Sequence, residues 1–217
     1  MTDIARKLTR REEYAQATRQ AIVDAARKLF AQRGYFAAKV DDIAAEARVA
    51  PATVYAVGGG KRGLLDELIR IWTTDPIVEA TITHIGASSE PVQIIREVAS
   101  TVRLMREEFA DVMRLLLTTA PHDPDVAEQL RSATNVYRDA FVPIAQRLSD
   151  LGALRPDLDV EQAVDLLWFY FGYSSLFTLH DDNGWSYERA EQWLAEQACR
   201  TLLAPVRSRA SRHVPPR

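Results

Sequence analysis

The chain of 217 residues is short of the features that would place it outside the cell, in a membrane or around a metal. It has one cysteine, Cys199, so no disulfide can close within it. The start shows no basic segment leading into an apolar signal core, and a reduced, cytoplasmic setting is expected. Long apolar runs are missing too. The most hydrophobic stretch, AVDLLWFYFGYSSLFTL at Ala163–Leu179, contains Asp165 and falls short of the roughly 20 residues that cross a bilayer. A buried helix is expected there, with no membrane partner. Histidine is scarce, and His84, His122-Asp123-Pro124-Asp125 and His180-Asp181-Asp182 lack helical ligand spacing with a second cluster. Solvated helix ends explain them, so no metal and no cofactor is expected. Paired carboxylates and a nucleophile beside a base are likewise absent, and Cys199 reads as a small, buried residue. An enzyme is not expected.

What is present is helical periodicity. No run of two-residue alternation bounded by turns occurs, and the fold class expected is all-α. The composition, 47% hydrophobic and 26% charged with a net charge of −3, is that of an ordinary globular protein. The charge is unevenly placed: residues 1–72 carry 13 Lys/Arg against 9 Asp/Glu, and the remainder 14 against 21. A basic head on an acidic body points to a polyanion meeting the first third alone.

Ile22, Ala25, Ala26, Leu29 and Phe30 mark a buried stripe on a helix from about Thr9 to Gln32, ended by Arg33-Gly34. Short helices near Val40–Ala47 and Pro51–Val57 follow with a tight turn between them, a helix-turn-helix pattern. A long helix from Lys61 toward the early 80s, bent or ended at Pro76, is expected next, with a domain boundary around Trp72. Ser88-Ser89 ahead of Pro91 opens a helix that pauses near Phe109 and reaches Thr118. Asp123-Pro124 opens one to Asp150, kinked at Pro143, and Asp159-Val-Glu-Gln162 reads as a capping box opening another to His180. Ser186 caps the last helix, which ends near Pro205. The domains expected are 1–60, 61–205 and a disordered tail over 206–217.

Gly58-Gly59-Gly60 precedes Lys61-Arg62. A phosphate-binding P-loop needs glycine five residues before the second glycine, Ser or Thr after the lysine, and a preceding strand. Here those places hold Tyr55, Arg62 and a helical pattern. A helix end running straight into a helix start fits better, because glycine accepts the left-handed conformation that closes helices. Lys61 then lies on a first helical turn, where backbone N–H groups attract phosphate oxygens.

The stretch TRQAIVDAARKLFAQRGYFAAKVDDIAAEARVAPATVYAVGGGKRGLL, Thr18–Leu65, resembles the N-terminal domain of the TetR family of transcriptional regulators. LRPDLDVEQAVDLLWFYFGY and GWSYERAEQWLAEQACRTLL are similar, more weakly, to that family's last two helices. The resemblance implies double-stranded DNA with a palindromic operator as partner, a homodimer formed through the last two helices, and an unknown small-molecule effector. Thr53 and Tyr55 would bond phosphates from the recognition helix, Lys61 from the helix after it, and Pro51, Ala52, Ala56 and Val57 would face the bases. Departures from the family pattern are Arg48 where the turn commonly has Gly, Ala38, Lys39 and Asp41 in place of a capping hydroxyl and a basic residue, and Gly58 and Gly60. Arg48 and Lys39 are candidates for added phosphate contacts. Gly58 is expected to loosen the core behind the recognition helix and to make the glycine joint mobile. In the C-terminal helices, Met105, Phe109, Met113, Tyr137, Phe141, Trp168 and Phe171 are candidates to line an effector pocket. The alternatives are a regulator controlled by a protein partner or acting constitutively, and, from another class, an all-α enzyme lacking salt-dependent duplex binding.

Overall fold

The computed structural model describes residues 9–205, and among them the chain forms α-helices with no β-sheet. Helix α1 (Arg10–Ala37) starts where a capping box closes. The Thr9 hydroxyl accepts from the Glu12 amide at 3.3 Å, and the Glu12 carboxylate accepts from the Thr9 amide at 2.7 Å. The first helical run ends at Gly34 as expected: its φ +76° and ψ 163° are not helical, and a kink there separates the long helix from the short turn that runs on to Ala37. Helices α2 (Val40–Glu46), α3 (Pro51–Gly58) and α4 (Gly60–Thr73) follow.

Proline sets the next boundaries. Helix α4 ends ahead of Pro76, which opens α5 (Pro76–Ala87), since a proline within a helix lacks the donor and crowds the carbonyl four residues back. Helix α6 (Pro91–Thr119) is continuous through Phe109, where a pause was expected. A 3-10 turn at Ala120–His122 leads to α7 (Pro124–Asp139), which begins where the Asp123 carboxylate accepts from the amides of Asp125 and Val126. The helix expected to Asp150 divides into α7 and α8 (Val142–Asp150). Asp139, the last residue of α7, is four positions before Pro143, so its carbonyl is the one the proline ring would meet.

The helix expected over 159–180 is also divided. Helix α9 (Val160–Phe171) opens with the Asp159–Gln162 capping box, then breaks at Gly172, where a Cβ would lie 2.4 Å from the Trp168 carbonyl oxygen. Helix α10 (Tyr173–Phe177) and a π-helical turn (Thr178–Asp182) precede α11 (Tyr187–Leu202), which Ser186 caps through the Arg189 amide. The tail expected to be disordered from 206 lies outside the described residues.

Two compact units result. One comprises the chain through Asp75 together with Phe109–Asn135; the other comprises Pro76–Glu108 and the chain from Val136 onward. In the first, α1 to α4 pack around Ile22, Ala26, Phe30, Ile43, Val54, Leu65 and Trp72. Arg27 on α1 holds Asp111 on α6 bidentately at 2.7 and 2.9 Å, and Arg62 on α4 pairs with Asp125 on α7 at 2.5 Å. In the second, α8, α9 and α11 pack with α5 and the first part of α6 around Ile94, Ile95, Leu148, Leu167, Phe171 and Leu194.

Candidate nucleic-acid interface

Helix α3 is held by one side. Val54 is wholly buried, whereas Pro51, Ala52, Tyr55 and Ala56 are exposed, Tyr55 at 60%. Thr53 and Val57 are half-buried at the edges of that surface. An eight-residue helix with a buried valine and an exposed opposite face has surface to offer a partner. Tyr55 lies against the glycine joint, since a Cβ on Gly60 would come 3.2 Å from its ring.

The turn before α3 explains Arg48. Val49 N–H reaches Ala44 O and Arg48 N–H reaches Ala45 O, the paired bonds that close a helix through a left-handed residue. Arg48 is that residue, with φ +57°, and its side chain is exposed. A conformation suited to glycine is therefore held by an arginine, at a cost in strain of roughly 1–2 kcal/mol. Lys39 stands exposed at the start of α2 with no side-chain capping bond. Ala38 is buried, so its missing hydroxyl is matched by packing. Of the acids on α2, Asp42 pairs with Arg33 and Glu46 with Lys28, each at 2.7 Å, while Asp41 is exposed.

Lys61 lies on the first turn of α4, as its place after the glycines implied, but its ammonium turns to α1. Nζ donates to Phe36 O at 3.2 Å and sits 4.7 Å from the centre of the Tyr35 ring. Burial against this turn pulls its pKa below the ordinary lysine value.

The glycine joint differs from expectation. Gly59 and Gly60 both have positive φ, +66° and +76°, which turns the chain from α3 into α4 with no intervening loop. Gly58 does not leave a loosened core. A Cβ there would meet Leu64 Cδ2 at 2.6 Å, and a Cβ on Gly63 would meet Gly58 O at 2.1 Å. Two glycines thus bring the end of α3 into backbone contact with α4, and the space a side chain would fill is taken by the helix itself. A cavity of only about 80 Å³ remains beside them, lined by Val23, Val57 and Leu64 with Arg19 and Glu67. The Gly58–Gly63 contact was not legible in the sequence; the unusual glycine at 63, one turn into a helix, is its one visible sign.

Among the residues expected to line an effector site, the second unit gathers Tyr137, Phe141 and Trp168, whose rings lie 5.4 Å apart around Tyr137. Phe171 joins through its carbonyl, which accepts from the Tyr137 hydroxyl at 2.6 Å. Met105 is buried on α6. Phe109 and Met113, buried farther along α6, belong to the first unit, where Phe109 lies under the Arg27 guanidinium at 5.5 Å. Arg106 and Phe177, which the sequence did not single out, join this group: the Arg106 guanidinium carbon lies 5.5 Å from the centre of the Tyr137 ring and 5.3 Å from that of Phe177. His180 stacks on Tyr187 at 3.9 Å with Nδ1 2.8 Å from Trp185 O, the setting of a packed histidine. Cys199 is half-buried, and its burial raises the thiol pKa.

A small helical head that presents one face of a short helix after a tight turn, joined to a larger helical unit, defines the class of helix-turn-helix transcriptional regulators. The chain belongs to the TetR family: residues 22–68 match the bacterial regulatory proteins of the tetR family and residues 93–183 the tetracyclin repressor-like C-terminal domain. It is 26% identical over 164 residues to the Bacillus subtilis protein named uncharacterized HTH-type transcriptional regulator YdeS, covering 75% of this chain and 80% of that one. Its fold is similar to that of SmeT in a triclosan complex, with a TM-score of 0.71 at 18% identity over 88% of this chain and 94% of the other. It is also similar to the fatty acid degradation regulator FadR from Bacillus halodurans, with a TM-score of 0.66 at 17% identity over 88% and 97% of the two chains. No helix among the described residues is long and apolar enough to cross a membrane.

Proposed function

We propose that this TetR-family regulator is a repressor that a small effector releases from a palindromic operator, acting in the cytoplasm as a homodimer. The observation that carries the reading is the exposed face of α3: Pro51, Ala52, Tyr55 and Ala56 stand clear of the protein on a helix anchored by Val54. Apolar residues there read thymine methyl groups and groove shape more than hydrogen-bonding edges. Thr53, Tyr55, Lys39 and Arg48 supply phosphate donors around that face, and Lys61 adds one by exchanging its bond to Phe36 O for a phosphate oxygen. The two heads of a dimer enter successive major grooves about 34 Å apart.

Helices α9 and α11 form the dimer interface in this reading. Phe169 on α9 is 67% exposed and Trp193 on α11 is 42% exposed, large apolar side chains on neighbouring helices. An effector binds at Tyr137, Phe141, Trp168 and Phe171, with Met105 as a further candidate, and selects a dimer whose heads no longer match the grooves. The triclosan complex of SmeT is a precedent in a structural relative.

Fluorescence anisotropy with operator DNA across a salt series tests the phosphate roles. Tyr55→Phe and Lys61→Ala should each weaken binding and lower the slope of log K against log salt by about 1. Wild-type affinity and slope in both variants would remove those two residues from the interface.

A further inference from the structure

Lys61 and Arg62 stand side by side on the first turn of α4, which has no acidic residue of its own. The two cations are used differently. Lys61 is half-buried against the end of α1, whereas Arg62 is 62% exposed and reaches to α7, where Nη1 meets the Asp125 carboxylate at 2.5 Å. Asp125 lies on the first turn of α7, and Asp66, one turn farther along α4, accepts from Gln129 of that same helix. The start of α7 thus lies beside the corner where Tyr35 packs under the Lys61 ammonium. Burial first, and then the Asp123 carboxylate, push the Tyr35 hydroxyl pKa up; Arg62 opposes them, and Asp66 and Asp125 add to the rise. All of these residues belong to the first compact unit.

The Arg62–Asp125 pair is built differently from the pair that fastens α1 to α6. Arg27 and Asp111 are joined by two bonds, with side chains 28% and 32% exposed, while Arg62 and Asp125 share one bond and are each 62% exposed. An ion pair so open to solvent contributes little and exchanges its anion readily. Nor does the placement of α7 depend on it. That helix is capped by Asp123, anchored by the buried Val126 and tied to α4 through Gln129. Parted from Arg62, the Asp125 carboxylate still lies at the amide end of its own helix, which favours an anion. The effect of Asp125 is therefore to occupy the Arg62 guanidinium. A guanidinium fork donates to carboxylate and phosphate oxygens in the same geometry, so one anion can replace the other.

Resting on the DNA-backbone contacts proposed above, we infer that Arg62 is a further phosphate donor, held by Asp125 in the unbound chain and passed to a DNA phosphate in the complex. The acidic start of α7 thereby restrains DNA affinity, because each head must break the Arg62–Asp125 pair before that contact forms.

Fluorescence anisotropy across a salt series tests this with the full chain and the duplex it selects from a random-sequence pool. Arg62→Ala should lower the slope of log K against log salt by about 1 for each head, and Arg62→Lys, which keeps the charge, should restore most of it. Asp125→Asn should raise affinity by about two- to fivefold, the strength of an exposed ion pair expressed as a ratio. That gain should disappear when Arg62 is already alanine. An unchanged slope in Arg62→Ala overturns the inference, as does the absence of a gain in Asp125→Asn. A gain of equal size in both backgrounds also overturns it, since the carboxylate would then act by repelling DNA and not by holding Arg62. Should Arg62→Ala fail to fold, Asp125→Asn combined with Arg62→Gln carries the same comparison. Failure of the underlying reading looks different. A wild-type chain that selects no duplex, or binds one with no salt dependence, removes the backbone contacts altogether, whereas a slope lowered by Lys61→Ala and not by Arg62→Ala spares them and sinks the Arg62 contact.

Discussion

Arg48 shows how one residue can be held against its own preference. Its positive φ closes the turn between α2 and α3, and nothing but the side chain distinguishes it from the glycine that suits that geometry better. Arg48→Gly should therefore raise stability by about 0.5–1 kcal/mol, the relieved strain less the added freedom of the unfolded chain. In a thermal melt this appears as a rise of roughly 2–4 °C per kcal/mol. The same variant should lose DNA affinity and about 1 in salt slope if the guanidinium meets a phosphate. A stabilised protein with unchanged affinity would reduce Arg48 to a strained surface residue. The glycines allow a second contrast. A methyl at Gly63 would strike Gly58 O, which is backbone, while a methyl at Gly58 would strike the end of the Leu64 side chain. Gly63→Ala should cost about 1–3 kcal/mol and weaken DNA binding without changing the salt slope, because α3 is displaced and no phosphate donor is removed. Gly58→Ala should be partly rescued by Leu64→Val, whereas trimming Leu64 should not help Gly63→Ala; denaturant midpoints and anisotropy read both.

At the scale of elements, local chemistry sets starts more reliably than ends. Asp159 and Gln162 complete a reciprocal capping box at the head of α9, with bonds of 2.8 and 3.0 Å. Asp159→Ala should destabilise by about 1 kcal/mol, readable as a lower denaturant midpoint with an unchanged slope. The starts at Thr9, Asp123, Asp159 and Ser186 were legible because a cap and the amides it serves lie within three residues of each other. The ends were not. Helix α6 runs through Phe109 where a pause was expected, and α9 stops at Gly172, each depending on whether neighbouring chain accommodates a bend. The Arg27–Asp111 pair joins residues 84 apart in sequence, which no periodicity reveals. Asp111→Ala should cost up to about 1 kcal/mol, the pair being about a third exposed and open to screening, and the loss should shrink in high salt.

The whole molecule acts, in the function proposed, as a pair of chains. Phe169→Glu with Trp193→Glu places charge on the exposed apolar face of α9 and α11. Sedimentation velocity should then show monomers, and operator binding should fall to that of a half-site; a dimer that survives both changes would move the interface elsewhere. The helix-turn-helix pattern, the basic head and the junction of two helices at the glycines could be read from sequence because each is a local arrangement of neighbours along one chain. The aromatic residues of the C-terminal half could be found as a group, but not sorted into their settings. Only the tertiary structure separated Tyr137, Phe141 and Trp168 from Phe109, and it alone brought Arg106 to the break at Gly172. A buried charge on a core-facing position is visible in the spacing of α6, yet what it meets depends on residues 31 to 71 positions away. By itself the sequence determined where most helices begin, since capping hydrogen bonds act over a turn or two. Which helices break, how closely α3 and α4 approach and what surrounds Arg106 were decided by packing between distant segments, where sterics and desolvation act without regard to order along the chain.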